Sequence, residues 1–133
     1  MWSRAGLVAC GLGDPRSSEK HVAKEIHDAW IEAPVIYPRS KADPSDILKL
    51  ARDAGEWGGI YKVLVALVRY VEPAEWKGQL PKDVCHARMW LKLSEEEKAI
   101  VDAACRGLAP SKRHNVLDAV AIGVWVRATG RAS

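Results

Sequence analysis

Glu32 and Asp118 are carboxylates in surroundings that do not suit a carboxylate. Glu32 stands within Trp30-Ile31-Glu32-Ala33-Pro34-Val35-Ile36. Asp118 stands within Val116-Leu117-Asp118-Ala119-Val120-Ala121-Ile122, with Val124, Trp125 and Val126 beyond it. A buried, unpaired carboxylate is costly and prefers to be neutral. Each acid therefore needs a positive partner, either a Lys or Arg side chain or a divalent metal. In the structural reading, each forms a salt bridge or lies at an exposed edge. In the chemical reading, they form a magnesium site, because Mg²⁺ is held by a few carboxylates plus water. Two such ions about 4 Å apart activate a water and stabilise the leaving oxygen in phosphodiester cleavage. One acid at a strand edge and one on a helix pointing at it suit that chemistry.

His114 and Asn115 precede Asp118 by four and three residues, which places both on or near its helix face. For Asn115, a helix N-cap and a place in the metal shell are equally open. His114 is either the last loop residue or a ligand or proton carrier, and only geometry decides between them. Basic residues lie nearby in sequence. Lys77 follows Trp76 in a turn, Lys82, Arg88 and Lys92 come next, and Lys112 and Arg113 adjoin His114. Such residues form either a solvated face or a set of phosphate contacts. Trp76 reads as the packing anchor of its turn rather than a base-stacking residue.

The elements that must position these residues follow from pattern. Gly6 to Leu12 is short, apolar and bounded by glycine, which predicts a buried strand. Gly13 to Ser18 is a turn, and His21 to Asp28 a short helix or irregular approach. Ala29 leads a strand that ends near Pro34. Asp43 or Ser45 caps a helix from Pro44 towards Leu67, with Ile47, Leu50, Ala51, Ala54, Tyr61, Leu64, Val65 and Val68 in helical period. Gly55, Gly58 and Gly59 weaken it by roughly 1 kcal/mol each, or else mark close packing.

Val68 to Val71 is a strand ended by Glu72-Pro73, and Pro73 to Lys77 is a single turn. Pro81 to Leu91 is a helix with Val84, Ala87, Arg88 and Leu91 on one side. Ser94 and Glu97 form a capping box for a helix ending near Arg106-Gly107. Pro110 to Arg113 reads as a basic loop. His114 to Ala128 is the final helix, apolar almost all round and so largely buried. The order predicts an α/β chain with a small sheet.

Composition bounds the answer. With 133 residues the chain is expected to form one domain, residues 1–133, with a single core. Hydrophobic residues at 48% and charged residues at 28% exclude a disordered chain. Lys+Arg at 20 against Asp+Glu at 17 gives a net charge of +3, which permits a nucleic-acid partner without demanding one. No apolar stretch approaches the ~20 residues of a membrane span, and no signal-like segment opens the chain. No membrane association and a cytoplasmic, intracellular location are therefore expected. Cys10, Cys85 and Cys105 make no CxxC pair and read as reduced thiols.

Three segments resemble a known family. The first is Trp30-Ile31-Glu32-Ala33-Pro34-Val35-Ile36-Tyr37-Pro38 with Lys41-Ala42-Asp43-Pro44 and Ile47-Leu48-Lys49-Leu50-Ala51. The second is Tyr70-Val71-Glu72-Pro73-Ala74-Glu75-Trp76-Lys77-Gly78 with Pro81-Lys82. The third is His114-Asn115-Val116-Leu117-Asp118-Ala119-Val120-Ala121-Ile122. In this order the chain resembles the RuvC-type crossover-junction endodeoxyribonucleases, or Holliday junction resolvases, from about Gly6 to Trp125.

The resemblance implies a ribonuclease H-like fold with a small mixed sheet flanked by helices. It implies Mg²⁺-dependent hydrolysis of branched DNA, with Mn²⁺ as a substitute. Glu32 and Asp118 would be metal ligands, Asn115 a further one, and His114 an assisting catalytic group. Lys77, Lys82, Arg88, Lys112 and Arg113 would contact DNA. A homodimer is implied by the two equivalent cuts of a four-way junction, with the long glycine-containing helix as its surface. A phage or mobile-element setting suits so compact a resolvase.

Two departures accompany the match. The family's first strand, with its own acid, has no counterpart before Gly6 to Leu12, so an N-terminally shortened domain is expected. Asn115 stands where many members have Asp. The alternatives are a catalytically impaired DNA-binding relative and a small structural or interaction domain.

Overall fold

A computed structural model of the chain describes residues 1–3, 6–7, 10–12, 28–36, 41–65 and 67–131. The expected turn at 13–18 and nearly all of the segment 21–28 lie outside the described residues. The chain divides into two compact units, one made of Met1–Asp14 with Gln79–Ser133 and the other of Pro15–Gly78.

The middle unit is a βαβ arrangement. Strand β3 (Asp28–Glu32) pairs in parallel with β4 (Leu67–Val71), with Glu32 opposite Val71. Parallel neighbours require a crossover, and α1 (Pro44–Leu64) supplies it. Asp43 caps α1, its carboxylate accepting from the Ser45 N–H at 2.8 Å and the Ser45 hydroxyl at 2.7 Å, with Pro44 in the first turn. The glycines do not break α1. At Gly58 the close-packing reading holds, since a Cβ there would collide with the Tyr70 hydroxyl of β4. Gly55 and Gly59 face open space. Val71 is wholly buried.

The other unit is mainly helical. The short strands β1 (Trp2–Ser3) and β2 (Gly6–Leu7) pair antiparallel. Among the described residues the strands thus form two separate two-stranded sheets rather than the single mixed sheet expected. The strand expected from Gly6 to Leu12 is confined, within the described residues, to Gly6–Leu7. The helices are α3 (Lys82–Trp90), α4 (Glu95–Cys105) and α5 (Pro110–Ala128); α2 (Pro73–Trp76) is the single turn that closes the middle unit. The fold is mixed α/β, as the order of patterns indicated.

The core of the helical unit contains Val101, Val116 and Val120, each about 1% exposed. Burying a side chain of this size contributes roughly 1.5 to 3 kcal/mol. Expected burial along α5 is met at Val116, Val120, Ala121, Ile122, Val124 and Val126. Ser94 and Glu97 form the expected capping box.

Glu97 does more than cap. It is buried, and its Oε1 accepts from the Leu7 N–H at 2.9 Å and from Arg127 Nη1 at 2.8 Å. Arg127 stacks over the Trp2 ring at 4.7 Å, and Gly123 leaves room for the Trp2 indole where a Cβ would collide. These contacts fasten β1 and β2 to α4 and α5. Burial pushes the Glu97 carboxyl up, but the Leu7 and Ser94 N–H groups and the Arg127 guanidinium outweigh it and hold its pKa below the usual range.

Two local expectations are corrected. Residues 110–113 are the first turn of α5 and not a basic loop, because Pro110 is pre-set for the first helical position after Ala109, the N-cap. Asn115 and His114 consequently lie inside the helix, so Asn115 is not its cap and His114 is not a loop residue. The buried face of α3 is Cys85, His86 and Met89, whereas Val84, Ala87, Arg88 and Leu91 are exposed.

Candidate functional site

Four side chains meet along the seam between α3 and α5. Lys82 and His86 are four residues apart on α3, and His114 and Asp118 are four apart on α5. That spacing stacks each pair on one helix face, so facing helices can bring two pairs together. The Lys82 ammonium donates to Asp118 Oδ2 at 2.9 Å, and His86 Nε2 bonds Asp118 Oδ1 at 2.7 Å. A carboxylate only accepts, so Nε2 carries the hydrogen. The His86 and His114 rings stack with centroids 5.5 Å apart and planes 27° from parallel.

The partners of Asp118 are unequal. The side chains of His86 and Asp118 are 9% and 14% exposed, whereas Lys82 is 52% exposed. The Lys82 bridge is screened by water and weak. The His86 bond is shielded and better fixed. The demand for a positive or donating partner at Asp118 is met by these two residues. His86 was absent from the candidates drawn from sequence. Its signal was the four-residue spacing from Lys82, hidden because α3 carries apolar residues on more than one side.

Glu32 belongs to the βαβ unit. β3 ends there, opposite Val71, and the chain leaving Val71 turns at Pro73 into α2. Five residues after Val71, the buried Trp76 donates its indole N–H to Glu32 Oε2 at 2.9 Å. The Glu72 and Glu75 capping box fixes that turn, and Lys77 Nζ lies 5.4 Å from the Trp76 ring centroid. Trp76 is a packing anchor with a polar tip on the candidate acid.

The remaining candidates are placed as follows. Lys112, Arg113, His114 and Asn115 are exposed along the first turns of α5, and Arg113 Nε donates to the Leu108 carbonyl at 2.8 Å. Arg88 is exposed on α3, and Lys77 is half-buried at the end of α2. His86 also lines a cavity of about 350 Å³ with Trp90, Val101, Cys105, Arg113 and Leu117. Burial pushes the Cys105 thiol up, which keeps it protonated and a poor nucleophile.

Magnesium prefers several oxygen donors. The seam offers one carboxylate, both of whose oxygens are engaged, beside two imidazoles and an ammonium. Glu32 offers one carboxylate in the other unit. Among the described residues no group of three His, Cys, Asp or Glu side chains is placed to hold a metal ion. The described donors therefore fall short of a magnesium set. No family model, no curated protein and no solved structure matches this chain.

Proposed function

We propose that the chain is a structure-specific endodeoxyribonuclease of the RuvC-like type, with a ribonuclease H-like fold, that cuts branched DNA such as four-way junctions. The observation that carries this reading is the α3–α5 seam. His114 and Asp118, both drawn from the resembling C-terminal motif, are held on one face by Lys82 and His86, next to exposed Lys112 and Arg113. Glu32, from the first resembling segment, is held by Trp76 of the second. The motifs that resemble the family in sequence are thus linked by side-chain bonds within each unit.

In this reading Lys82, Lys112 and Arg113 bind phosphates, which supplies affinity without sequence preference. Arg88 on α3, and Lys77 in the other unit, are further DNA contacts by the resemblance. Asp118 and Glu32 are the acids of the reaction, and His114 assists. Dependence on Mg²⁺ is part of the proposal and rests on the resemblance. So does a homodimer, for which α1, with exposed Leu48, Leu50 and Val63, offers apolar surface.

The test compares a labelled four-way junction with a linear duplex of the same sequence, with Mg²⁺ and with chelator. Nicking of the junction alone, lost with chelator and in Glu32→Gln, is the expected result. A second reading, a binding relative without cleavage, is favoured by the occupation of both Asp118 oxygens. It predicts junction binding that weakens steeply with salt and no metal-dependent nicking.

A further inference from the structure

We infer that His86 is a positioning residue that sets Asp118 and His114 as one unit on α5, an inference that rests on the nuclease reading for its functional consequence. His86 is 8% exposed, and a buried imidazole needs a partner for its N–H. That partner is Asp118 Oδ1 at 2.7 Å. The same ring stacks against His114. One buried side chain therefore touches both candidate groups of α5, through different contacts.

Lys82 cannot perform this task. Its side chain is half-exposed and flexible, and it touches Asp118 alone among the two. The imidazole has a rigid ring and is enclosed by helix packing, so it restricts the carboxylate in angle as well as in distance. Without it, Asp118 is free to follow Lys82 towards solvent, and His114 loses the surface it rests on. A displacement of about 1 Å in a reacting group costs up to roughly 100-fold in rate.

Two substitutions separate positioning from simple packing. His86→Leu fills the space without an N–H. His86→Gln carries an amide N–H that reaches the position of Nε2. Each variant is checked for thermal unfolding, junction affinity and single-turnover nicking, and for the His114 ring signals in a proton–carbon NMR spectrum.

The expected result for His86→Leu is a folded protein with junction affinity unchanged, nicking reduced roughly tenfold to 100-fold, and displaced His114 signals. His86→Gln should recover most of the rate. Nicking by folded His86→Leu at the wild-type rate would overturn the inference, as would a folded His86→Gln no better than His86→Leu. A wild-type chain that nicks no junction removes the nuclease reading alone. His86 is then judged by NMR: a hydrogen-bonded His86 Nε2–H signal lost in Asp118→Ala, which has no acceptor oxygen, with displaced His114 signals in His86→Leu, supports its role. Unmoved His114 signals reject it.

Discussion

Asp118 and Glu32 are each held by hydrogen bonds, but by different kinds of group. Asp118 lies between helices, with an ammonium on one oxygen and an imidazole on the other. Glu32 ends a strand, with a neutral indole N–H on one oxygen. The helical seam offsets charge, whereas the strand end orients a carboxylate and leaves its charge uncompensated by that contact. An acid whose charge is offset can be structural. An acid that is merely oriented keeps its negative charge for something else. Glu97 gives the structural limit of the comparison, buried and bonded to Leu7, Ser94 and Arg127.

The largest stability effect is expected at that limit. Glu97→Leu strips the partner from Arg127 and from the Leu7 and Ser94 N–H groups, at a cost of about 3 kcal/mol. Thermal unfolding should fall accordingly, with β1 and β2 the first to exchange amide hydrogens. The same residue gives a pH dependence. Its folded pKa lies below its unfolded value, so its contribution is present above the ordinary carboxylate range and is lost as pH falls through the folded value. Melting curves of the wild type and Glu97→Gln should therefore converge on acidification.

Next comes the pair that defines the comparison. Asp118→Asn leaves Lys82 and His86 facing a neutral amide and should cost about 1 to 2 kcal/mol in denaturant unfolding. Glu32→Gln keeps a carbonyl oxygen for the Trp76 N–H and should cost less than about 1 kcal/mol. Equal costs would erase the distinction between an offset and an oriented acid. The smallest effect is expected for Lys82→Ala, at about 0.5 kcal/mol, because its bridge is solvent-screened. Its clearer signature is a shallower salt dependence of junction binding.

The sequence disclosed these regions unevenly. Asp43-Pro44, Ser94 with Glu97, and the strands at Glu32 and Val71 were legible because caps and short apolar runs are local signals. The second role of Glu97 was not, because Leu7 lies 90 residues away. Residues 110–113 looked like a loop from polar composition, yet Pro110 at the first helical position continues α5 backwards. His86 escaped because α3 carries apolar residues on more than one side, so its period did not identify the buried face. The acids Glu32 and Asp118 were found because they interrupt apolar runs, while the groups that hold them come from distant segments.

The most direct test of the account places Glu32→Gln and Asp118→Asn side by side on a labelled four-way junction with Mg²⁺, measuring affinity and single-turnover nicking. The account predicts that both variants bind the junction as the wild type does and that neither nicks it, despite their unequal effects on stability. Nicking at the wild-type rate by either variant, or a folded wild type that binds the junction without nicking it, would contradict it.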